Sequence, residues 1–310
     1  MHWTHHGAAR IFQPVVDLNP QDHGEDMFAI AGVTGHTGAA AAEALLAQGQ
    51  KVRVIVRSAE KGEPWKKRGA EVAVADLGDV KAMTTALTGV KGVYLLSPPN
   101  FAAKDFIADR KALAGKLAEA VRAAKVPNVV FLSSVAAHVP AGTGPIVTAH
   151  NAEQLFRGLA PSVTFVRAAY FLENWGSVIG LAKAQGILPN YGPVDVKFSQ
   201  VCARDIGAAV ASALLKPADG TKVVELAGRE DWSVQDVAAA LSSLLGKPVQ
   251  AVAAPVETAH DGLKQAGVPE PMASLYAEMY AGLSKGLVRW ETSHQTRGTT
   301  ALVDALRPLV

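Results

Sequence analysis

The chain has 310 residues, 49% of them hydrophobic and 19% charged, with a formal net charge of +2. That length suits one large domain or two coupled ones around a sizeable core, and the composition excludes a disordered chain. The near-neutral balance, with Lys66-Lys67-Arg68 as its longest basic run, gives no footprint for nucleic acid. The lone cysteine, Cys202, excludes an internal disulfide. No paired Cys/His spacing of the zinc type occurs, so no metal is implied and a reducing cytoplasm is the expected compartment.

Residues 1–26, MHWTHHGAARIFQPVVDLNPQDHGED, lack an apolar period and the continuous apolar core of a signal peptide. They read as a flexible extension, or as a start placed too far upstream. A dangling tail is preferred over metal binding by His2, His5, His6 and His23. From Met27 onward, strand and helix patterns alternate. Strands are expected at Phe28 to Ala31, Val52 to Val56, Glu71 to Ala75, Val93 to Leu96, Val129 to Leu132 and Val163 to Arg167. Helices are expected at Ala39 to Gln48, after an Asp79 cap, and along Leu113, Leu117 and Val121. This rhythm predicts an α/β fold with a doubly wound parallel Rossmann sheet, its ligand outside the carboxyl ends of the strands where their order reverses. No run reaches about 18 apolar residues, so no membrane span is expected.

The stretch AGVTGHTG places Gly32, Gly35 and Gly38 three apart between the first strand and first helix. There, Gly32 ends the strand, Gly35 lets backbone approach a pyrophosphate, and Gly38 permits close helix packing; the helix N-terminus faces the anion. Thr34, His36 and Thr37 are candidate side-chain donors. The second strand ends in Arg57 and Ser58, with Lys61 nearby, where a fold selecting NAD(H) usually offers a carboxylate. A guanidinium matches a 2′-phosphate in a bidentate manner, so NADP(H) is expected ahead of NAD(H). Asp76, with the adjacent Leu77 amide, suits an adenine edge, or else a turn.

The ordered set AGVTGHTG, VRVIVRS, VADLGD, GVYLLSPPN, NVVFLSSVAAH and VTFVRAAYFLENW resembles the NmrA-like branch of the atypical short-chain dehydrogenase/reductases, and within it the type-2 NAD(P)H:quinone oxidoreductases. The resemblance runs from about Met27 to the C-terminus. It implies a Rossmann domain, taken as residues 27–160, and a smaller interleaved C-terminal α/β domain. The latter, residues 161–310, would be mainly substrate-binding, with some segments returning to the sheet. It further implies that Leu96, Ser97 and Pro98 run along the cofactor and that Ser133 and Ser134 lie near the nicotinamide ribose. In the matched Arg167, Phe171, Glu173 and Asn174 segment, Ala169 to Phe171 would border the nicotinamide. Pro98 and Pro99 also suit a rigid loop, Ser133 a strand end, and Arg167 an ion pair with Glu173 or another carboxylate.

Typical members of the wider group use Tyr-x-x-x-Lys as acid and base. If Glu153 occupies the glutamate position that follows this pair in extended relatives, the pair is replaced by Pro145 and Ala149. His150, next along, is the one catalytic candidate; it serves either as a proton donor or merely as a helix-start residue. Direct hydride transfer to an electron-poor ring needs less acid–base help than alcohol oxidation. Tyr170, Phe171, Asn174 and Trp175 are the expected substrate residues, with Tyr191 and Phe198 in the following loop. The helical segment after Pro255, carrying Tyr276 and Tyr280, forms either a lid or an oligomer contact, the latter implying a homodimer. Two functions follow. One is an NADPH-dependent reductase of quinones or related electron-poor aromatics; the other is a non-catalytic NADP(H) sensor whose nucleotide tunes a protein partner.

Overall fold

A computed structural model describes residues 26–310; the N-terminal extension and its four histidines lie outside the described residues, except Asp26 at its end. In chain order the elements are β1 (Met27–Ala31), α1 (His36–Leu46), β2 (Lys51–Val56), α2 (Ala59–Lys66), β3 (Glu71–Val74), α3 (Val80–Leu87), β4 (Gly92–Leu95), α4 (Phe106–Ala124), β5 (Asn128–Ser134), α5 (Val147–Phe156) and β6 (Ser162–Ala168). The more irregular second half adds β7 (Tyr170–Phe171), α6 (Ile179–Gln185), β8 (Ile187–Tyr191), β9 (Phe198–Val201), α7 (Ala203–Leu215), β10 (Gly220–Ala227), β11 (Asp231–Trp232), α8 (Val234–Leu245) and β12 (Gln250–Ala254). It ends with α9 (Ala259–Gln265), α10 (Glu270–Ser284), β13 (Thr296–Arg297) and α11 (Leu302–Leu306).

Eight strands form one parallel sheet in the order β13-β10-β6-β5-β4-β1-β2-β3. The order reverses between β1 and β4, which makes their carboxyl ends the natural ligand crevice. Successive strand residues point to opposite faces, so Phe28 and Ile30 pack with Leu45 of α1 and Val210 of α7, while Ala29 and Ala31 pack with Leu87 of α3 and Leu117 of α4. Asp79 caps α3 as expected, accepting from the Ala82 amide at 3.0 Å. Among the described residues no helix is long and apolar enough to cross a membrane.

All six expected strands are present. Two more, β10 and β13, extend the sheet beyond β6, and the segments that precede and follow each of them build a separate apolar cluster around Leu172, Trp175, Leu188, Trp232, Val237 and Leu306. Those segments contain two small sheets, β11-β9-β7 and β12-β8. Ser233 caps α8 in a reciprocal capping box with Asp236. Asp205, in the first turn of α7, accepts from the Thr299 amide and, at 3.1 Å, the Thr300 amide. It thereby ties the last residues of the chain back to the sheet.

Candidate functional site

The turn between β1 and α1 is shaped by backbone contact. Gly32 has φ +71, which disfavours any residue with a Cβ, and a Cβ there would also meet Leu96 Cδ2 at 2.7 Å. At Gly38 an added Cβ would lie 2.4 Å from the Gly32 carbonyl oxygen, so the helix rests directly on the turn. Gly35 is different: its φ of −110 suits any residue, and the nearest atom to an added Cβ is 3.6 Å away. Neither strain nor protein packing requires glycine there, which leaves the approach of an external group. The first turn of α1 has no side-chain cap and no acidic residue, so its amides and the positive end of the helix dipole are open to an anion.

Thr34 and His36 are exposed beside the turn, but the Thr37 hydroxyl is buried beneath it and accepts from Tyr94 at 2.9 Å. Burial pushes the Tyr94 phenol well above its ordinary pKa, more strongly than this bond lowers it, so it remains a donor. Thr37 therefore anchors α1 to β4 through its oxygen, while its own O–H proton remains to be donated. Arg57 and Lys61 are exposed at the carboxyl end of β2 and make no ion pair among the described residues; Ser58 stands at the N-cap of α2, where its side chain makes no capping bond. Asp76 closes a turn by accepting from the Gly78 amide at 2.8 Å, and Leu77 is half-buried beside it. Beyond β4, Leu96 covers Gly32, Pro98 is exposed, and the buried Ser97 hydroxyl has no partner among the described residues. A buried hydroxyl without a partner is costly, and a ligand polar group at the crevice would relieve it.

The ends of β5 and β6 are knitted together instead. The Ser133 hydroxyl donates to Glu153 Oε1 at 2.6 Å, and Arg167 grips the same carboxylate through Nε and Nη2, each at 2.8 Å. Arg167 also reaches Glu291 and lies 3.9 Å from Glu225. Burial disfavours its charge, but the bonds to Glu153 and Glu291 outweigh that and hold the guanidinium more firmly protonated than usual. The carboxylate partners are thus Glu153, Glu291 and Glu225, not Glu173, which accepts from the Ala203 amide at the start of α7 at 2.8 Å.

Past β5 the backbone strains: Ala136, fully buried, has φ +64. Ser134 remains half-buried at the start of this loop. The next residue, Ala137, accepts from His150 Nδ1 at 2.9 Å. That bond requires the proton on Nδ1 and leaves Nε2 as the acceptor atom. Pro145 lies in a short helical turn and Ala149 in α5, with Glu153 one turn beyond.

Tyr170 lies just past β6, its ring 5.6 Å from Trp175 and 5.8 Å from Phe198. Phe171 is half-buried and Asn174 exposed. Trp175 is only 4% exposed and donates its indole N–H to Gln200 at 2.8 Å, so it backs Tyr170 rather than presenting a free surface. The helical segment after Pro255 is two helices, α9 and α10, and α10 rests on the loop after β5. Sequence reasoning assigned no role to Glu225, Glu291 or His138, whose Nδ1 is buried without a partner among the described residues.

The NmrA-like family model matches residues 25–288. The chain belongs to the NmrA-like family. It is 28% identical over 258 residues to the NAD(P)H azoreductase of Xenophilus azovorans, covering 82% of this chain and 86% of that protein. It is also 28% identical over 265 residues to quinone oxidoreductase 2 of Escherichia coli, strain K12, covering 84% and 89%. Among solved structures, the NADPH-dependent quinone oxidoreductase of Escherichia coli in complex with NADPH superimposes with a TM-score of 0.78 at 26% identity, over 91% of this chain and 99% of that one. The Citrobacter triphenylmethane reductase complexed with NADP(H) shares the fold at a TM-score of 0.75 and 21% identity, over 92% and 100%.

Proposed function

We propose that the protein is an NADPH-dependent reductase that passes hydride directly to quinones or related electron-poor aromatics. Gly35 carries the nucleotide half of this reading, because a glycine that neither conformation nor packing demands leaves room for a pyrophosphate. In this reading the turn from Gly32 to Gly38 cradles the diphosphate, and Arg57, Ser58 and Lys61 take the 2′-phosphate. Asp76 and Leu77 border the adenine, while Leu96, Ser97 and Pro98 run along the cofactor. Ser133 and Ser134 lie toward the ribose, and Tyr170 and Phe171 flank the nicotinamide. Bound NADPH supplies the hydride.

The protein's share is binding, orientation and exclusion of water. Tyr170 and Phe171, backed by Trp175 with Asn174 at the rim, suit a flat acceptor. The relatives named as azo and quinone reductases support the same class. With Pro145 and Ala149 in place of a Tyr-x-x-x-Lys pair, the acceptor must need little proton assistance and takes its proton from water; His150 Nε2, an acceptor while Nδ1 carries the ring proton, can relay such a proton but not supply one. The same substitution favours a second reading, a nucleotide sensor without turnover.

Anaerobic mixing with NADPH and a panel of small quinones separates the two. Loss of absorbance at the reduced-nicotinamide band that follows quinone concentration supports the reductase; oxidation no faster than in a cofactor-only control supports the sensor.

A further inference from the structure

Three side chains of the connection after β4 meet at one ring, that of Phe106. Phe101, 50% exposed, lies nearly parallel to it, with ring centres 6.3 Å apart and 14° between the planes. The Arg110 guanidinium stands 5.6 Å from the centre of the same ring. Local bonds hold the group: the Asn100 side chain accepts from the Ala102 amide and donates to Asp109, each at 3.3 Å, and Asp105 caps α4 by accepting from the Ala108 amide at 2.9 Å. Long side chains on a helix point toward its N-terminus, and the contact with Phe106 one turn back shows that Arg110 does so. Since this connection leaves the carboxyl end of β4, the group lies along the ligand edge of the sheet, in the same segment whose Leu96 covers Gly32.

Arg110 is poorly provided for. It is half-buried, and its Nε is sealed from solvent with no hydrogen-bond partner among the described residues. The two nearest carboxylates along the chain are engaged elsewhere, Asp109 with Asn100 and Asp105 with the helix cap. A cation near the start of a helix also meets the positive end of the helix dipole. Burial lowers the Arg110 pKa to about 10, and Asp109 offsets only part of that, so the charge persists at neutral pH. The face of Phe106 offsets some of the cost, but a ring face fills none of the planar fork of N–H donors. A ligand carboxylate or sulfonate would fill it, and the open ring of Phe101 offers a surface on which a flat ligand stacks.

We propose that Arg110 and Phe101 form a site for an aromatic anion, the guanidinium pairing with its carboxylate or sulfonate and the phenyl ring stacking on its ring. The site stands apart from the reductase reading, because it needs no hydride transfer. Calorimetric titration of the full chain, with and without NADP+, compares 2-naphthalenesulfonate with 2-naphthalenesulfonamide, a neutral molecule of nearly the same shape. The sulfonate should bind about tenfold tighter. Arg110→Met keeps most of the stem and removes the charge; it should erase that difference without lowering the melting temperature, because it strands no partner. Phe101→Ala should weaken both ligands. A sulfonate preference that survives Arg110→Met, or that the wild type lacks, overturns the proposal. So does a clearly lower melting temperature in Arg110→Met, which marks an internal partner, and so does unchanged binding in Phe101→Ala, which leaves no aromatic contact. Competition between the sulfonate and NADP+, with weaker NADP+ binding in Arg110→Met, would assign the guanidinium to a nucleotide phosphate and overturn the site as well.

Discussion

The carboxyl ends of β1, β2 and β4 and those of β5 and β6 sit side by side on one sheet, yet they handle polarity in opposite ways. Among the described residues the first group leaves donors free: the uncapped start of α1, the exposed Arg57 and Lys61, and the buried Ser97 hydroxyl without a partner. The second consumes them. Ser133 and Arg167 are bound to Glu153, and His150 Nδ1 is bound to Ala137. Free donors beside a glycine turn describe a surface waiting for an anion, whereas the spent ones describe a rigid platform whose remaining chemistry is hydroxyls and rings. In the proposed reading, the contrast lets one sheet grip a charged nucleotide and present an uncharged acceptor beside it.

The platform is the easier side to break. Arg167→Leu leaves the buried Glu153 carboxylate with only Ser133 and the half-exposed Arg157 at 3.4 Å, and removing one partner of a buried pair costs roughly 3 to 5 kcal/mol. Denaturant unfolding should show that loss, and a change below about 1 kcal/mol would mean that water reaches the network and screens it. On the nucleotide side, two glycines separate packing from ligand approach. Gly38→Ala forces a Cβ onto the Gly32 carbonyl and should destabilise the fold by about 1 to 3 kcal/mol while abolishing NADPH binding. Gly35→Ala should leave the melting temperature nearly unchanged and still weaken NADPH about tenfold or more; if binding holds, no ligand passes close to that residue. Arg57→Ala should lose about tenfold in NADPH affinity and little in NADH affinity, consistent with one lost charge-assisted contact. Equal effects on both cofactors would remove Arg57 from the 2′-phosphate.

The nucleotide side was readable because its determinants are local: the three glycines, Arg57 and Ser58 lie within one βαβ unit, where strand and helix periodicity fix their places. The platform was not. Arg167 was expected to have a carboxylate partner, but choosing Glu153, Glu225 and Glu291 over the nearby Glu173 requires knowing that β10 and the last loop return to the sheet. The pattern in TKVVELAG is short and ambiguous, and it follows a long excursion, so β10 went unassigned. Thr37 and Trp175 illustrate a different gap. Residue type announced a donor and a flat wall, but it did not show that Thr37 also accepts from Tyr94 or that Trp175 donates to Gln200 from a buried position.

The return of the last loop carries the smallest expected effect and a defined pH sign. Glu225 accepts from the Glu291 amide at 2.8 Å, the Thr292 amide at 3.0 Å and the Thr292 hydroxyl at 2.6 Å. Burial alone would raise its pKa, but these bonds, led by the Thr292 hydroxyl, together with Arg167 hold it below the ordinary carboxylate value. A carboxylate depressed by folding adds stability that is fully present above its unfolded pKa and is lost as pH falls through the folded one. His138 acts in the same direction: burial holds its pKa below the ordinary value, so folding favours the neutral ring and acid opposes it. Acidification through and below the usual carboxylate range should therefore loosen the loop at Glu291 and Thr292 before the sheet core yields. The protection of those two amides, measured against their intrinsic exchange at each pH, should fall there, and Glu225→Gln should flatten that dependence while costing little at neutral pH in the nucleotide half. If the two amides instead open together with the β1 and β4 amides, the platform and the nucleotide end are one cooperative unit and the contrast between them is chemical only.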